Sequence, residues 1–229
     1  MLEKEIIINC ADSIFEQFKS GQYISKIDYE IGFDFGIADI MIFWISKKLL
    51  EKRAKSKIYN PITNRLSYYI FFNAPEDREF NFNELLKLLN ITNNTTAKAI
   101  KYNNIRFLVK NNYFLQINNN IYKKNNKYFN PVKKIIAIEI KISDWKSGLL
   151  QAQRYTSFSD ESYLGLWDRF IEQALKNENL FKESNIGLLS LTENKNSKKV
   201  IKPKKNNNIK ALNKGFAAEY ILSKLPILA

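Results

Sequence analysis

Charged residues interrupt two apolar stretches of the sequence. Asp39 lies within GIADIMIFWI (residues 36–45), and Glu139 and Lys141 lie within IIAIEIKI (residues 135–142). Two residues apart in a strand, Glu139 and Lys141 share one face and are separated by about 7 Å. A carboxylate in apolar surroundings is costly unless a cation neutralises it. If the two stretches form adjacent strands, Asp39 and Glu139 can share a divalent cation, and Lys141 can reach a water bound to it.

The residue types that are absent narrow this chemistry. The chain has one cysteine and no histidine, which excludes an internal disulfide, a zinc site of the Cys/His type and nucleophiles activated by histidine. A metal ion would be held by oxygen atoms, which favours magnesium, manganese or calcium. The Glu-x-Lys spacing by itself is weak evidence, because Glu193-Asn194-Lys195 repeats it in a polar segment. Taken alone, the spacing is more simply explained by a solvated strand face with a cross-strand ion pair.

A predicted helix follows the Glu-x-Lys stretch. In SGLLQAQRYTSF (residues 147–158), Gln151 and Tyr155 are four residues apart and therefore share one face of the helix. On that face they can meet phosphate or the charged groups of the candidate site. The alternative, equally supported by the pattern, is a polar helix face with a half-buried aromatic ring.

The positive charge of the chain is concentrated in two stretches. The formal net charge is +13. Residues 86–137 contain ten lysines and arginines and no acidic residue, and residues 194–214 contain eight lysines and no acidic residue. A general bias towards lysine explains an excess of lysine, but not the absence of acid over so long a stretch. Stretches of a single sign attract a polyanion, which predicts salt-dependent binding of nucleic acid.

The order of predicted elements indicates an α/β protein. A helix over residues 2–19 precedes two strands, 23–33 and 36–45, and a polar basic connector. Further along the chain, strands and helices alternate. The predicted strands there are 135–142, 162–167 and 185–192, and the predicted helices are 147–158, 168–181 and 212–225, the last one preceded by a loop rich in lysine and asparagine.

Residues 62–129 have a different pattern. Three helices are predicted, over ITNRLSYYIFF, FNELLKLLN and TTAKAIKYNNIRFLVKNN, followed by a hairpin around Asn118–Asn120. This order resembles a winged helix-turn-helix domain, although the third helix is about one turn longer than usual. The resemblance implies that the third helix and the hairpin contact DNA through Lys98, Lys101, Arg106, Lys123, Lys124 and Lys127. The alternative is a helical insertion that only packs on the main domain.

The remaining elements resemble the PD-(D/E)xK nuclease superfamily, in particular its RecB-like members with a QxxxY motif. Asp39, the triplet Glu139-Ile140-Lys141 and the helix that follows stand in the order of that pattern. The resemblance implies a restriction-endonuclease-like fold, which is a mixed sheet flanked by helices. It also implies that Asp39, Glu139 and the Ile140 carbonyl hold Mg²⁺, for which Mn²⁺ can substitute. Lys141 would orient or activate the attacking water, or steady the charge that develops on the phosphate.

The same resemblance suggests further site residues. Gln151 would stand beside the catalytic groups, and Tyr155 on the same helix face would contact DNA. Glu5, on the first helix, occupies a place where many members of the superfamily carry an additional acid. Glu16 and Glu30 are the alternatives for that role.

Two features depart from the family pattern. Nearly 100 residues separate Asp39 from Glu139, which we interpret as an insertion between adjacent strands, since loops tolerate insertions well. Ala38 stands where a proline usually precedes the acid. The predicted organisation is a nuclease core over 1–57 and 132–229, interrupted by a winged helix-turn-helix domain over 58–131.

The sequence thus predicts a magnesium-dependent DNA endonuclease that hydrolyses phosphodiester bonds in duplex DNA, with a homodimer as one way to cut both strands. Two alternatives stay open: a DNA-binding regulator on a nuclease scaffold that does not cleave, and a nuclease acting on RNA or branched DNA. The longest apolar run, residues 37–45, is too short to cross a bilayer, and the acidic N-terminus is unlike a signal peptide. We therefore expect a soluble cytoplasmic protein.

Overall fold

The chain forms two compact units in the computed structural model, which describes residues 3–33 and 36–225. The first, here called the sheet unit, consists of the described residues up to Ser46 together with Val132–Lys214. The second, here called the insert unit, consists of Lys47–Pro131 together with the described residues from Gly215 onward. The chain therefore enters the insert unit twice.

Helices and strands alternate through most of the described chain. The strands are β1 (Ile24–Phe33), β2 (Gly36–Ile45), β3 (Glu79–Asn81), β4 (Phe114–Asn118), β5 (Ile121–Lys124), β6 (Val132–Lys141), β7 (Glu161–Trp167), β8 (Gly187–Leu191) and β9 (Ser197–Ile201). The α-helices are α1 (Glu3–Phe18), α2 (Lys47–Lys55), α3 (Arg65–Asn73), α4 (Phe82–Leu88), α5 (Asn94–Ala99), α6 (Arg106–Lys110), α7 (Trp145–Tyr155), α8 (Ile171–Leu175), α9 (Glu178–Ser184) and α10 (Ala211–Ser223). A π-helix, Ile100–Ile105, joins α5 to α6, and a 3₁₀ helix, Asp168–Phe170, precedes α8. Within these described ranges, no helix combines the length and apolarity that crossing a membrane requires.

The sheet unit contains a mixed six-stranded sheet in the order β1-β2-β6-β7-β8-β9. The three strands β6, β7 and β8 are parallel to one another, and the other neighbouring pairs are antiparallel. Helix α1 covers one face, where Ile6 and Ile14 pack with Ile138 of β6. Helices α7, α8 and α9 cover the other face, where Leu149 packs with Leu164. This is an α/β architecture with a mixed sheet flanked by helices, as predicted.

The insert unit contains α3, α4, the continuous helical run from α5 through α6, and a three-stranded sheet in the order β3-β5-β4. Asparagines begin its helices: the side chains of Asn64, Asn81 and Asn93 each accept a hydrogen bond from a backbone N–H of the first turn. Asn120 takes a positive φ of 73° in the turn between β4 and β5, a conformation that asparagine tolerates well. The three helices and the hairpin lie where the sequence predicts them.

A buried ion pair anchors α10 in the insert unit. Arg53 of α2 and Glu219 of α10 are both fully buried, and their two contacts measure 2.6 and 2.7 Å. The Tyr128 hydroxyl, the Ile62 N–H and the Tyr113 hydroxyl complete the shell of the carboxylate, at 2.8, 2.9 and 3.0 Å. Burial alone would lower the pKa of Arg53, but the Glu219 carboxylate raises it above its ordinary value. The pair is thus fully neutralised and hydrogen-bonded.

The boundaries of the two units differ from the predicted domain boundaries. The sequence predicted a change of domain after residue 57 and assigned 132–229 entirely to the core. The structure instead assigns Lys47–Lys55 and the described residues from Gly215 to the insert unit, because α2 and α10 supply Arg53 and Glu219. Helix α2 lies in the segment expected to be a connector.

Two other elements differ from the expected ones. Strand β9 lies inside the predicted loop rich in lysine and asparagine; it pairs with β8 and is the last strand in the order of the six-stranded sheet. Edge strands commonly carry lysines, so its composition gives little signal. The helix predicted over 168–181 is divided into a 3₁₀ turn and two short helices, with a break at Lys176 and Asn177.

Candidate active site

The two apolar stretches that carry the charges are neighbouring strands. β2 and β6 pair antiparallel, with Ile40 opposite Ile138. Extending this register by one residue sets Asp39 opposite Glu139. The Ile140 N–H donates a hydrogen bond to the Asp39 Oδ2 atom at 2.7 Å, which fixes the carboxylate at the β6 backbone. The adjacency that the candidate site requires is therefore present.

Glu139 is held by groups on both sides. It is only 4% exposed, and its Oε1 atom lies 2.9 Å from the Lys141 ammonium group. Its Oε2 atom accepts a hydrogen bond from the Tyr155 hydroxyl, which also lies within hydrogen-bonding distance of the Ile37 carbonyl oxygen. The carboxylate is therefore oriented by one cation and one hydroxyl rather than by solvent.

The charges at this site are not balanced. Burial, followed by the nearby Glu139 carboxylate, raises the pKa of Asp39 from 3.8 to about 6. Burial alone would lower the pKa of Lys141, but the hydrogen bonds and negative charges of Glu139 and Glu3 raise it. Glu3, at the start of α1, reaches the Lys141 ammonium group at 3.3 Å. Two carboxylates thus contact Lys141, and the Asp39 carboxylate lies close enough to interact with it electrostatically.

The contact from Glu3 differs from the sequence prediction, which placed the additional acid at Glu5. The side chain of Glu5 is exposed. Residues 3, 6, 10 and 14 share one helix face by their spacing, and the last three are buried apolar residues of α1. Continuing that buried stripe towards the N-terminus would have identified Glu3 instead of Glu5.

The two alternative acids lie on the surface. Glu16 is exposed and forms an ion pair with Lys19. It lies in the last turn of α1, whereas Glu3 lies in the first turn. Glu30 is exposed and has a positive φ of 48° near the end of β1. Neither position gives the buried setting of the Asp39 and Glu139 carboxylates.

Helix α7 approaches the sheet closely beside these groups. It begins with the Asp144 side chain accepting a hydrogen bond from the Ser147 N–H, and a Cβ atom at Gly148 would lie only 2.8 Å from the Lys141 Cγ atom. Gln151 is half-buried, and in the described part of the chain its Oε1 atom is buried without a hydrogen-bond partner. An unpartnered acceptor of this kind is unfavourable in the free protein.

The position of Tyr155 corrects one prediction. The sequence assigned this residue to DNA, but its ring is only 2% exposed and its hydroxyl contacts Glu139. The reason is that α7 packs flat on the sheet, so that its residues facing the sheet, including Gly148 and Tyr155, are covered. Tyr155 positions the Glu139 carboxylate.

The oxygen atoms at the site suit a hard divalent cation. Within residues 3–33 and 36–225, no group of three or more acidic, cysteine or histidine side chains is arranged to hold a metal ion. The available donors are the carboxylates of Asp39 and Glu139, with the Ile140 carbonyl as the third donor expected from the resemblance. Mg²⁺ commonly binds through one or two carboxylates and keeps several waters. The donor set therefore fits Mg²⁺ without a third acidic side chain.

The insert unit has a basic groove. Lys98, Lys101 and Arg106 are exposed along the helical run from α5 to α6. Lys101 donates a hydrogen bond to Asn120, and its ammonium group lies 5.6 Å from the centre of the Phe82 ring. The groove between these elements has a volume of about 730 Å³ and is lined by Asn81, Phe82, Asn83, Glu84, Leu86, Lys87, Asn94, Ala97, Lys98, Lys101 and Asn120.

The three hairpin lysines differ in accessibility. The Lys124 side chain is only 12% exposed; its ammonium group lies 3.1 Å from Glu76 and 4.7 Å from the centre of the Phe71 ring. The ammonium group is therefore already engaged within the insert unit, and its binding to DNA stays a prediction. Lys123 is half-buried and lies opposite Glu79 in the three-stranded sheet, whereas Lys127 is exposed.

Comparison with known proteins identifies no matching family model, no similar curated protein and no similar solved structure.

Proposed function

We propose that the protein is a metal-dependent deoxyribonuclease of the PD-(D/E)xK type. The observation that carries the proposal is the meeting of Asp39, Glu139 and Lys141 on adjacent strands. Burial, followed by the nearby Glu139 carboxylate, raises the pKa of Asp39 to about 6, so a cation bound there would stabilise the ionised pair. A site built only to hold the sheet together would be expected to balance its charges.

In this proposal, each side chain of the candidate site has a separate role. A bound Mg²⁺ would lower the pKa of a water and stabilise the charge on the phosphoryl oxygens. Lys141 donates a hydrogen bond to the attacking water or to a phosphate oxygen. Glu3 and Glu139 hold its ammonium group, and Tyr155 holds Glu139. Gln151 offers a buried oxygen that lacks a donor.

The insert unit would position the DNA as a winged helix-turn-helix domain. In support, α4 and the helical run that begins with α5 are joined by a short turn, and a hairpin follows. Lys98, Lys101 and Arg106 present their charges on the exposed side of that run. In this class of domain the second helix of the motif lies in the major groove.

The main test compares two Glu-x-Lys triplets of the same chain. The protein is incubated with supercoiled plasmid and Mg²⁺ or Mn²⁺, beside Glu139→Ala, Lys141→Ala and a Glu193→Ala/Lys195→Ala control. We expect each single variant at the site to lose cleavage by about 10³-fold or more, since each removes electrostatic support of the transition state. The control should cleave like the wild type.

Other outcomes separate the alternatives. Cleavage that survives both Glu139→Ala and Lys141→Ala would exclude this site. Tight binding of DNA without cleavage, with either metal, would favour the regulator. Parallel incubations with duplex RNA and branched DNA identify the preferred substrate, since relative rates are measured directly.

A second test concerns the basic groove. Lys98→Gln/Lys101→Gln is compared with Lys47→Gln/Lys48→Gln, which removes the same charge from exposed positions of α2. We expect only the first variant to weaken DNA binding and to reduce the slope of log affinity against log salt by about 1–2. Equal binding by the two variants would assign α5 to packing alone.

A further inference from the structure

A lysine-rich segment of the sheet unit, residues 202–210, is fixed in place although it has no helix or strand. We call it the lysine loop. The side chain of Asn206 is buried and donates hydrogen bonds to the carbonyl oxygens of Thr156 and Ser159, both at 2.7 Å. The Lys210 N–H donates to the Ser157 carbonyl at 2.9 Å. The loop is thus attached to the end of α7.

A second attachment lies at the other end of the lysine loop. The Lys204 N–H donates to the Asn185 Oδ1 atom at 2.6 Å, and the Asn185 amide donates to the Lys204 carbonyl at 3.2 Å. Pro203 lies so close to Gly187 that a Cβ atom there would be 2.9 Å from the proline Cδ atom. The backbone is therefore held at both ends, and the loop presents its side chains from fixed positions.

The side chains of the lysine loop are free to meet a partner. Lys202, Lys204, Lys205 and Lys210 are exposed, and none of their ammonium groups forms an ion pair or hydrogen bond with the described residues. The wider segment 194–214 contains no acidic residue. Holding like charges together on an anchored backbone costs stability through repulsion. A polyanion would relieve that repulsion.

The lysine loop is attached just after the C-terminal end of α7, the helix that carries Tyr155. Its anchor at Thr156 directly follows Tyr155, whose hydroxyl contacts Glu139. Arg154, exposed in the last turn of α7, adds one more positive charge at this place. A polymer bound along the loop would therefore pass the C-terminal end of α7.

We infer that the lysine loop binds the sugar-phosphate backbone of duplex DNA at a distance from the cleaved bond, independently of base sequence. The inference rests on the proposed nuclease function for the identity of the polyanion. An anionic membrane is the other polyanionic surface to consider. Membrane-binding segments also insert apolar side chains, and no large apolar side chain is exposed within residues 202–210 of the structure. DNA is therefore the favoured partner.

The test removes three charges from the lysine loop and three from elsewhere in the same unit. Lys204→Gln/Lys205→Gln/Lys210→Gln is compared with Lys26→Gln/Lys176→Gln/Lys182→Gln, whose lysines are also exposed and lie outside both basic stretches. The affinity of the full chain for a fluorescent 30-base-pair duplex is measured in EDTA over a series of salt concentrations. Each lost phosphate contact lowers the salt slope by about 0.9, so we expect a decrease of about 2–3 and an affinity loss of about tenfold or more for the loop variant only.

The outcomes are independent of cleavage, because EDTA prevents metal-dependent chemistry. A selective loss of affinity in the loop variant supports the inference even if the wild type never cleaves DNA. Equal slopes for the two triple variants overturn it even if the nuclease proposal holds.

Vesicles containing phosphatidylglycerol serve as a second probe: a loop variant that loses vesicle binding but retains DNA binding would assign the loop to membranes and overturn the inference. Two duplexes of unrelated sequence check independence from base sequence, and a preference that the loop variant abolishes would also contradict it.

Discussion

The sheet unit and the insert unit each bury carboxylates beside a cation, but the two clusters differ in balance. In the insert unit, Glu219 and Arg53 are matched one to one and are both fully buried. In the sheet unit, Glu139 and Glu3 contact Lys141, Asp39 interacts with it electrostatically, and the site is partly open. The first cluster is complete without any other molecule, whereas the second has an excess of negative charge.

This difference separates a structural ion pair from a candidate catalytic site. Buried charges cost folding free energy unless their partners and hydrogen bonds are in place. Glu219 has all of them, so that its removal harms only the fold. The excess negative charge around Lys141 lowers the stability of the fold. Such a cost is expected at a site that binds a cation or a substrate. Three substitutions test the contrast.

The largest effect is expected from Glu219→Gln. The substitution keeps the shape of the side chain but leaves the buried Arg53 guanidinium without its counter-ion, so the free energy of unfolding should fall by about 3–5 kcal/mol. Urea titration followed by tyrosine fluorescence and circular dichroism measures the loss. The matched control, Glu193→Gln, removes an exposed partner of Arg169 and should cost less than about 1 kcal/mol. A loss of that small size for Glu219→Gln would contradict the structural role.

Asp39→Asn should act in the opposite direction. Because burial and Glu139 raise the pKa of Asp39 from 3.8 to about 6, ionising the carboxylate costs folding free energy between these pH values, and the cost stays constant above pH 6. In EDTA at pH 8 the variant should therefore be more stable than the wild type by about 1–2 kcal/mol, after allowance for solvent screening.

The pH dependence checks that interpretation of Asp39. The gain in stability should shrink as the pH falls through 6 and disappear below about pH 4, where the wild-type carboxyl group is protonated in both folded and unfolded chains. Thermal unfolding at several pH values measures it, and cleavage by the variant should be lost. A variant less stable than the wild type at pH 8 would show that the Asp39 carboxylate supports the fold.

Tyr155→Phe should have the smallest effect. It removes the hydroxyl that donates to Glu139 while keeping the buried ring, so we expect a loss of about 1 kcal/mol of stability. Cleavage should fall by about tenfold, far less than with Glu139→Ala, because the carboxylate remains but is less well oriented. The ratio of the two rate losses is the measurement. Equal losses would mean that Tyr155 contacts the reacting groups itself.

The parts of the structure that the sequence predicts are those with strong local patterns. Asp39, Glu139 and Lys141 are conspicuous because each interrupts an apolar strand, and the alternation of isoleucines identifies the strand face that α1 covers. The three helices of the insert unit are predicted by their sequence patterns.

The remaining features depend on contacts between distant residues. Nothing near Arg53 or Glu219 in the sequence marks them as partners, since 166 residues separate them, and this pair decides the unit boundaries. The burial of Tyr155 and the contacts of Lys124 depend on how closely their elements pack, which the four-residue spacing of a helix or the charge of a hairpin does not reveal. Glu3 is the exception, because the buried stripe of α1 points to it.

The Arg53–Glu219 pair also has a consequence during protein synthesis. The ribosome completes residue 53 long before residue 219, and at about 5–20 residues per second the interval is roughly 10–30 s. Throughout that time the guanidinium of Arg53 lacks its carboxylate, and α10 is absent from the core of the insert unit. The nascent insert unit therefore stays incompletely packed while the strands from β6 to β9 are synthesised. The packing of the insert unit is completed only after α10 has been made.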